Sequence, residues 1–289
     1  MSQSRPSSKH PGRQPHAVLT RSILLPGLFV AVLYGCALWF GLSRPRLSTW
    51  WSQPQEPRGT MPWHAPSIES VPTDAHGELI RAGRRIFIAT PEFASDHARA
   101  LISCSNCHMQ GGIRPYASPM VGLSTIFPTY NKRAGRVISL AERIQECFVR
   151  SENGTPLDPQ GREMRALLAY IDWLSTPQPT RRKFTGRGLV SMPVLTPDPV
   201  RGQRLYAEQC AGCHGATGAG YTPQFPPLWG PDAYNDGAGM NNIPKMAAFV
   251  YHNMPQNRPG TLTAQQAWDV AAYIHSQPHP AFNPAYKHY

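Results

Sequence analysis

The chain has 289 residues, of which 41% are hydrophobic and 16% charged, and this balance excludes an intrinsically disordered protein. Its formal net charge is +11, but residues 1–46 hold six of the 28 basic residues and none of the 17 acidic ones. The remainder, with 22 basic and 17 acidic residues, is only mildly basic, so nucleic-acid binding is not indicated. Any preference for anions must come from a local cluster.

The N-terminal part of the chain carries an export signal. Residues 1–22 are basic, and residues 23–43 lack charges, which as a helix would span about 31 Å and match a bilayer core. Four basic residues precede this stretch and two follow it, which favours an N-terminus inside the cell. We predict a transmembrane anchor that leaves the remainder on the periplasmic side of the bacterial inner membrane. A cleaved signal peptide, with the protein free in the periplasm, is the alternative.

Residues 44–76 predict a tether rather than a domain. Six prolines between positions 45 and 72 interrupt any periodic pattern, and such a composition favours a semi-rigid extended chain. The folded part of the protein is therefore predicted to begin near residue 77.

Two Cys-x-x-Cys-His pentapeptides dominate that folded part. Random placement of 6 Cys and 11 His would yield roughly 0.005 such pentapeptides, so two copies are a strong signal. In this motif two thiols attach a haem covalently and the histidine binds its iron. A redox cysteine pair or half a zinc site is the alternative, and zinc lacks further ligands at matching spacing. We predict two covalently bound haem c groups, attached at Cys104, Cys107, Cys210 and Cys213, with His108 and His214 as iron ligands.

A repeated pattern surrounds the two motifs. Gly83 and Phe87 precede the first motif with the same four-residue offset as Gly202 and Tyr206 before the second. About thirteen extra residues separate Phe87 from Cys104. Each unit closes with an amphipathic helix, whose apolar residues recur at helical spacing.

This repeat predicts a mainly α fold with two tandem class I cytochrome c-like domains. The first covers residues 77–176 and the second residues 193–289, and a linker rich in Pro, Gly and basic residues joins them over residues 177–192. Strand signals are nearly absent.

One cysteine outside the motifs stands out. Ser139 and Glu142 form a capping box that starts a helix, and Asn153 with Gly154 supplies its stop. Along this helix Arg143, Cys147 and Ser151 are four residues apart and share one stripe. An arginine one turn away favours the thiolate, the form that binds iron or attacks sulfur. A buried, inert cysteine is the alternative.

The second haem is predicted to receive a methionine as its sixth ligand. Met240, Met246 and Met254 are candidates, and His252 could provide bis-histidine ligation instead. Met254 is favoured because Pro255 forces it into an extended conformation shortly before the closing helix.

Six segments of the chain resemble the dihaem thiosulfate dehydrogenases. In the first domain these are YNKRAGR (130–136) and RIQECFVRSENG (143–154), and in the second PLWG (227–230), NDGAGM (235–240), NMP (253–255) and AWDVAAY (267–273). The resemblance covers about 200 residues. It implies that Cys147 is the sixth ligand of the catalytic haem, that Met254 is that of the second haem, and that Arg133, Arg143 and Ser151 line the substrate site.

The resemblance also implies an activity, in which two thiosulfate ions are coupled to tetrathionate and two electrons are released. Some members of the family run the reverse reaction. Two dianions must be brought together, and Arg133 and Arg143 can offer bidentate donors to their oxygens. Electrons would leave through the second haem to a cytochrome c or a membrane-bound acceptor. For Arg136, Arg150, Arg162 and Arg165 a solvated position is the prediction.

Two other functions stay open on the sequence alone. A non-catalytic dihaem cytochrome or respiratory-complex subunit would have no need for a thiolate ligand flanked by arginines. Cytochromes that conjugate thiosulfate to a carrier protein also use Cys-ligated haem, but they divide the haem domains between subunits. The chain also departs from some relatives at Asn253, where they carry a lysine before the ligand methionine.

Overall fold

The computed structural model describes residues 65–176, 185–221 and 223–289, all of which belong to one compact unit, Pro54–Tyr289. The predicted anchor at residues 23–43 and most of the predicted tether lie outside the described residues. Within the described ranges, none of the helices combines the length and apolar character that a bilayer crossing requires.

The first haem motif lies in a small domain built from short elements between two long helices. In chain order these are a 3-10 helix (Ile68–Ser70), α1 (Ala75–Ile88), α2 (Thr90–Phe93), α3 (Cys104–Cys107), α4 (Met109–Gly112), β1 (Thr129–Asn131), β2 (Arg136–Ile138), α5 (Leu140–Phe148) and α6 (Arg162–Ser175). The carboxylate of Asp74 accepts a hydrogen bond from Gly77 N at 2.9 Å, so α1 begins two residues before the predicted boundary.

The second domain repeats the arrangement with fewer elements. They are α7 (Pro199–Gln209), α8 (Ala211–His214), α9 (Ile243–Asn253), α10 (Ala264–His275) and a 3-10 helix (Pro284–Tyr286). Asp198 caps α7 and Pro199 occupies its first turn. Thr263 and Gln266 form the capping box of α10.

A glycine at each helix crossing explains the repeated offset in the sequence. A Cβ on Gly83 of α1 would lie 2.0 Å from Ala166 O of α6, and one on Gly202 of α7 would lie 2.0 Å from Asp269 O of α10. Only a residue without a side chain lets the two backbones approach this closely. One turn later, Phe87 and Tyr206 are buried in the cores of their domains.

A short hairpin adds β-structure that the sequence did not indicate. β1 and β2 pair antiparallel with Tyr130 opposite Val137, and Gly135 turns the chain with a φ of 66°. Strands of three residues are too short to carry an alternating pattern, which is why the periodicity missed them.

The extra residues between α1 and the first motif join the two domains. Ala100 and Ile102 are buried in the core of the second domain rather than the first. Between them, Leu101 N donates to Asp232 O at 2.8 Å. The described part of the linker packs on the loop after the first motif, where Gly186 O and Gly188 O accept hydrogen bonds from main-chain N–H groups.

Candidate functional site

The first haem motif is held by hydrogen bonds that orient its histidine. Nδ1 of His108 lies 2.7 Å from Ser118 O, so the carbonyl can accept from Nδ1–H and leave Nε2 for iron. Burial lowers the pKa of His108 to about 4, which keeps the imidazole neutral, the form that binds a metal. Tyr170 of α6 donates to Gly111 O at 2.7 Å and fixes the turn after the motif.

The second motif is built in the same way from different residues. Nδ1 of His214 lies 3.0 Å from Pro226 O, and burial lowers the pKa of this histidine too. Here the supporting hydroxyl comes from the opening helix, because Tyr206 of α7 donates to Gly215 O at 2.7 Å. Both histidines thus present a free Nε2.

A cavity of about 660 Å³ surrounds the second motif. Cys210, Cys213 and His214 line it together with apolar side chains, and its size fits a large planar cofactor. Cys107 of the first motif and Met109, which follows that motif, also line this cavity, so the two haem sites adjoin.

All three candidate methionines line this cavity, so the geometry alone does not choose among Met240, Met246 and Met254. Met254 follows the last turn of α9 in the extended conformation expected before a proline, with φ −119° and ψ 152°. His252 packs edge-on against Tyr116 of the first domain, 4.7 Å between ring centroids, and is not among the residues that line the cavity.

A chain of polar contacts surrounds Cys147 at the first site. Ser139 and Glu142 form the predicted capping box of α5, which aligns Arg143 and Cys147 on one side. Nη1 of Arg143 lies 3.3 Å from Cys147 Sγ and 3.2 Å from a carboxylate oxygen of Glu146. The negative charge of Cys147 raises the pKa of Arg143. Arg143 thus places a charged donor beside the sulfur of Cys147.

Glu146 is the buried centre of that chain. Asn131 at the end of β1 donates to the same oxygen of Glu146 at 2.9 Å. The second carboxylate oxygen of Glu146 is buried without a hydrogen-bond partner in the described residues. Glu146 and Asn131 therefore connect the hairpin to α5, the helix that carries Cys147 and that we call the cysteine helix.

Arg133 and Ser151 lie in the segments that precede and follow α5. Arg133 lies in the turn of the hairpin, where its N–H donates to Asn131 Oδ1 at 2.8 Å and its side chain is exposed. The helix α5 ends at Phe148, three residues before Ser151, which was predicted to lie on it. The N–H of Ser151 still donates to Cys147 O at 2.7 Å. The helical stripe of Cys147 and Ser151 therefore continues into the turn.

Comparison with known proteins identifies these domains. Residues 89–179 match the cytochrome c domain of the SoxA/TsdA family, and residues 199–278 match the cytochrome c family. The chain is 40% identical over 223 residues to the thiosulfate dehydrogenase of Stutzerimonas stutzeri, covering 74% of this chain and 72% of that one. It is 39% identical over 230 residues to the thiosulfate dehydrogenase of Allochromatium vinosum, covering 75% and 84%.

The chain belongs to the thiosulfate dehydrogenase family. A solved member, the as-isolated thiosulfate dehydrogenase TsdBA of Marichromatium purpuratum, superposes with a TM-score of 0.71 at 39% identity. The match covers 78% of this chain and 51% of that longer one. The predicted mainly α fold with two cytochrome c domains is confirmed, and the two domains indicate two covalently bound haem c groups.

The structure corrects the prediction that Arg150 is solvated. Arg150 was expected on a solvated face, but it is only 5% exposed. Its guanidinium lies 4.1 Å from the centroid of the Phe282 ring and donates to Tyr289 O at 2.8 Å, so the C-terminal segment of the second domain covers it. Burial lowers the pKa of Arg150, and repulsion by Arg133 and Arg143 adds to this. The spacing of residues around Arg150 in the sequence does not indicate that the C-terminal segment packs over it.

The sequence did not predict the burial of two further polar residues, Glu152 and Asn253. Glu152 is 1% exposed, and burial raises its pKa to about 8; one oxygen of its carboxylate lies 3.7 Å from Cys104 Sγ. Asn253 is fully buried between the domains, where its Oδ1 accepts from Arg114 Nε at 3.0 Å and its amide donates to Tyr116 O at 3.1 Å. A lone polar residue before a methionine gives no sequence signal for such a bridge.

Proposed function

We propose that this chain oxidises thiosulfate to tetrathionate at its first haem and sends the electrons out through its second. Two thiosulfate dianions would lose two electrons in total as one sulfur–sulfur bond forms between their terminal sulfurs, with no net proton change. The family membership supports this reaction, and the site around Cys147 is the single observation that carries it.

The haems, when bound, supply the one-electron centres that accept these electrons. The protein's own contribution is charge and position. Arg143 donates to Cys147 Sγ at 3.3 Å and still presents about 40% of its side chain to solvent, where it can contact an incoming anion. Arg133 projects from the hairpin with no counter-ion among the described residues, and it supplies a second fixed positive charge. Ser151 adds a neutral hydrogen bond.

We further propose that His108 and Cys147 would hold the iron of the first haem and that His214 and Met254 would hold the iron of the second. Thiolate donation stabilises the oxidised iron, whereas methionine raises the potential. Electrons would therefore pass from the first site to the second and on to a cytochrome c or membrane-bound acceptor. The shared cavity supports a short route between the sites.

A steady-state assay with thiosulfate and an artificial electron acceptor tests the activity. We expect wild type to reduce the acceptor and Cys147→Gly to lose at least about 100-fold in kcat, because the thiolate is removed. Ala141→Gly on the same helix is the matched control, since it adds the helix-weakening cost of glycine, about 1 kcal/mol, away from the site.

The outcomes separate the candidate functions. A wild-type protein that neither oxidises thiosulfate nor reduces tetrathionate would contradict the proposed activity. Equal losses in Cys147→Gly and Ala141→Gly would assign the effect to folding and remove Cys147 from the mechanism.

The cellular location is a separate proposal. The uncharged stretch at residues 23–43 supports an anchor that holds the haem domains on the periplasmic side of the inner membrane. Fractionation of cells that produce the full chain tests it: activity in the washed membrane fraction supports the anchor, and activity in the periplasmic extract supports cleavage.

A further inference from the structure

The amide of Asn131 joins the hairpin to the cysteine helix. Asn131 ends β1, and its Nδ2 donates to a carboxylate oxygen of Glu146 at 2.9 Å. Its Oδ1 accepts from Arg133 N at 2.8 Å and from Ala134 N at 3.1 Å. The amide therefore caps the hairpin turn with its oxygen and contacts the cysteine helix with its nitrogen.

Glu146 connects that amide to Arg143. The carboxylate oxygen that accepts from Asn131 also lies 3.2 Å from Arg143 Nη1. The same Nη1 lies 3.3 Å from Cys147 Sγ. The contacts thus form a continuous chain from the hairpin turn that carries Arg133 to the sulfur of Cys147.

The burial of Glu146 makes these contacts costly to lose. Glu146 is 2% exposed, and its second carboxylate oxygen has no hydrogen-bond partner among the described residues. A carboxylate removed from water needs donors or counter-ions, so losing one of them costs more than losing a hydrogen bond at the surface. Asn131 serves as the donor and Arg143 as the counter-ion. Glu146 therefore fixes the positions of both.

The two arginines that these contacts hold are those proposed to bind thiosulfate. Arg143 is held by its side chain, and Arg133 by its main chain in the hairpin turn. Two dianions react only when the fixed positive charges bind them with their terminal sulfurs close together. A displacement of about 1 Å in such an arrangement can lower the rate about 100-fold. The link between the hairpin and the helix therefore matters for the reaction.

We propose that Asn131 and Glu146 are positioning residues, which set the distance between the hairpin that carries Arg133 and the helix that carries Arg143. The inference rests on the proposed thiosulfate oxidation and adds to it the pair of side chains that holds the two parts of the binding site together. Neither residue needs to touch the substrate. Their contribution is the hydrogen bond between them, so exchanging its donor and acceptor should preserve the activity.

The test reverses the polarity of this hydrogen bond in the full holoprotein and measures kcat and KM for thiosulfate with an artificial acceptor. Asn131→Asp keeps the oxygen that caps the turn but replaces the donor with a carboxylate, which Glu146 repels. We expect its kcat/KM to fall about tenfold. The double variant Asn131→Asp with Glu146→Gln again places a donor opposite an acceptor, so its kcat/KM should return to within about threefold of wild type.

Two further comparisons keep the test independent of one variant. Glu146→Gln alone retains an acceptor and should lose less than about threefold in kcat/KM, whereas Glu146→Ala removes the acceptor and should lose about tenfold. Gln160→Glu makes an amide-to-carboxylate change at an exposed position of the same domain, so its kcat/KM should stay within about twofold of wild type. Haem spectra and thermal unfolding of each variant show whether the fold is intact.

The possible results are decisive in both directions. A loss in Asn131→Asp that the double variant recovers supports the proposal. An unchanged kcat/KM in Asn131→Asp, a double variant no better than that single variant, or an equal loss in Gln160→Glu overturns it while thiosulfate oxidation itself stands. Inactivity of the wild-type holoprotein instead rejects the proposed function, and this role with it.

Discussion

The two haem sites share one scaffold and differ in the side chains around it. Both motifs follow a helix crossing made at a glycine, and both histidines rest on a main-chain carbonyl. Around Cys147 the neighbours are charged or polar, whereas methionines and other apolar residues line the cavity at His214. Surroundings rather than the attachment motif decide what a c-type haem does. This difference supports the proposed roles, with substrate binding at the first site and electron exit at the second.

The sharpest test of the apolar site is the removal of its proposed ligand. Met254→Leu keeps volume and hydrophobicity but removes sulfur, so we expect the charge-transfer band at the red end of the oxidised spectrum to disappear completely. Met240→Leu, in the wall of the same cavity, should keep the band. Absorption spectra of both oxidised holoproteins decide this, and a band that vanishes with Met240 instead would move the ligand there.

The activity of the site around Cys147 is expected to depend on Arg143. We expect Arg143→Gln to lower kcat/KM for thiosulfate on the order of 100-fold, because the thiolate and the substrate both lose a charged donor. Arg136→Gln is the control, since that exposed arginine pairs with Glu142 on the solvent side. Steady-state kinetics on both variants measure the difference, and a similar decrease in the control would point to general electrostatics.

The boundary between the two domains can be tested at a residue that precedes the first motif. Ile102→Ala should reduce the free energy of unfolding by about 3 kcal/mol, because a buried side chain of the second core is lost. Leu101→Ala, 42% exposed, should cost less than about 0.5 kcal/mol. Urea unfolding monitored by circular dichroism measures both. Equal small losses would mean that Ile102 contributes little to the second core.

The smallest expected effect is the loss of either tyrosine hydroxyl that supports a haem motif. Tyr170→Phe and Tyr206→Phe each remove one hydrogen bond to a glycine carbonyl, so each should cost about 1 kcal/mol. Thermal unfolding of the two holoproteins measures the pair. A much larger loss in one variant would show that the two motifs are not supported equally.

Much of the fold follows from local sequence signals. The glycine offsets at Gly83 and Gly202 mark helix crossings, and the Ser139 capping box starts the cysteine helix as predicted. These features depend on residues close in sequence, where spacing alone determines which side chains meet.

The parts that could not be predicted depend on packing between the domains. Arg150 follows a helix like any solvated arginine, and only the cover by Phe282 and Tyr289 buries it. Asn253 contacts Arg114 of the first domain, which lies 139 positions earlier in the chain. No local pattern encodes such meetings, because they follow from how two folded units dock.

The segment between α1 and the first motif has a consequence for how the protein matures. Ala100 and Ile102 are synthesised about 100 residues before the motif whose core they complete. When the first domain has been synthesised, these two residues of the second core are therefore already present. The rest of the second domain must fold around them. Severing the chain at the linker would not yield two working cytochromes, because the second would lack a piece of its own interior.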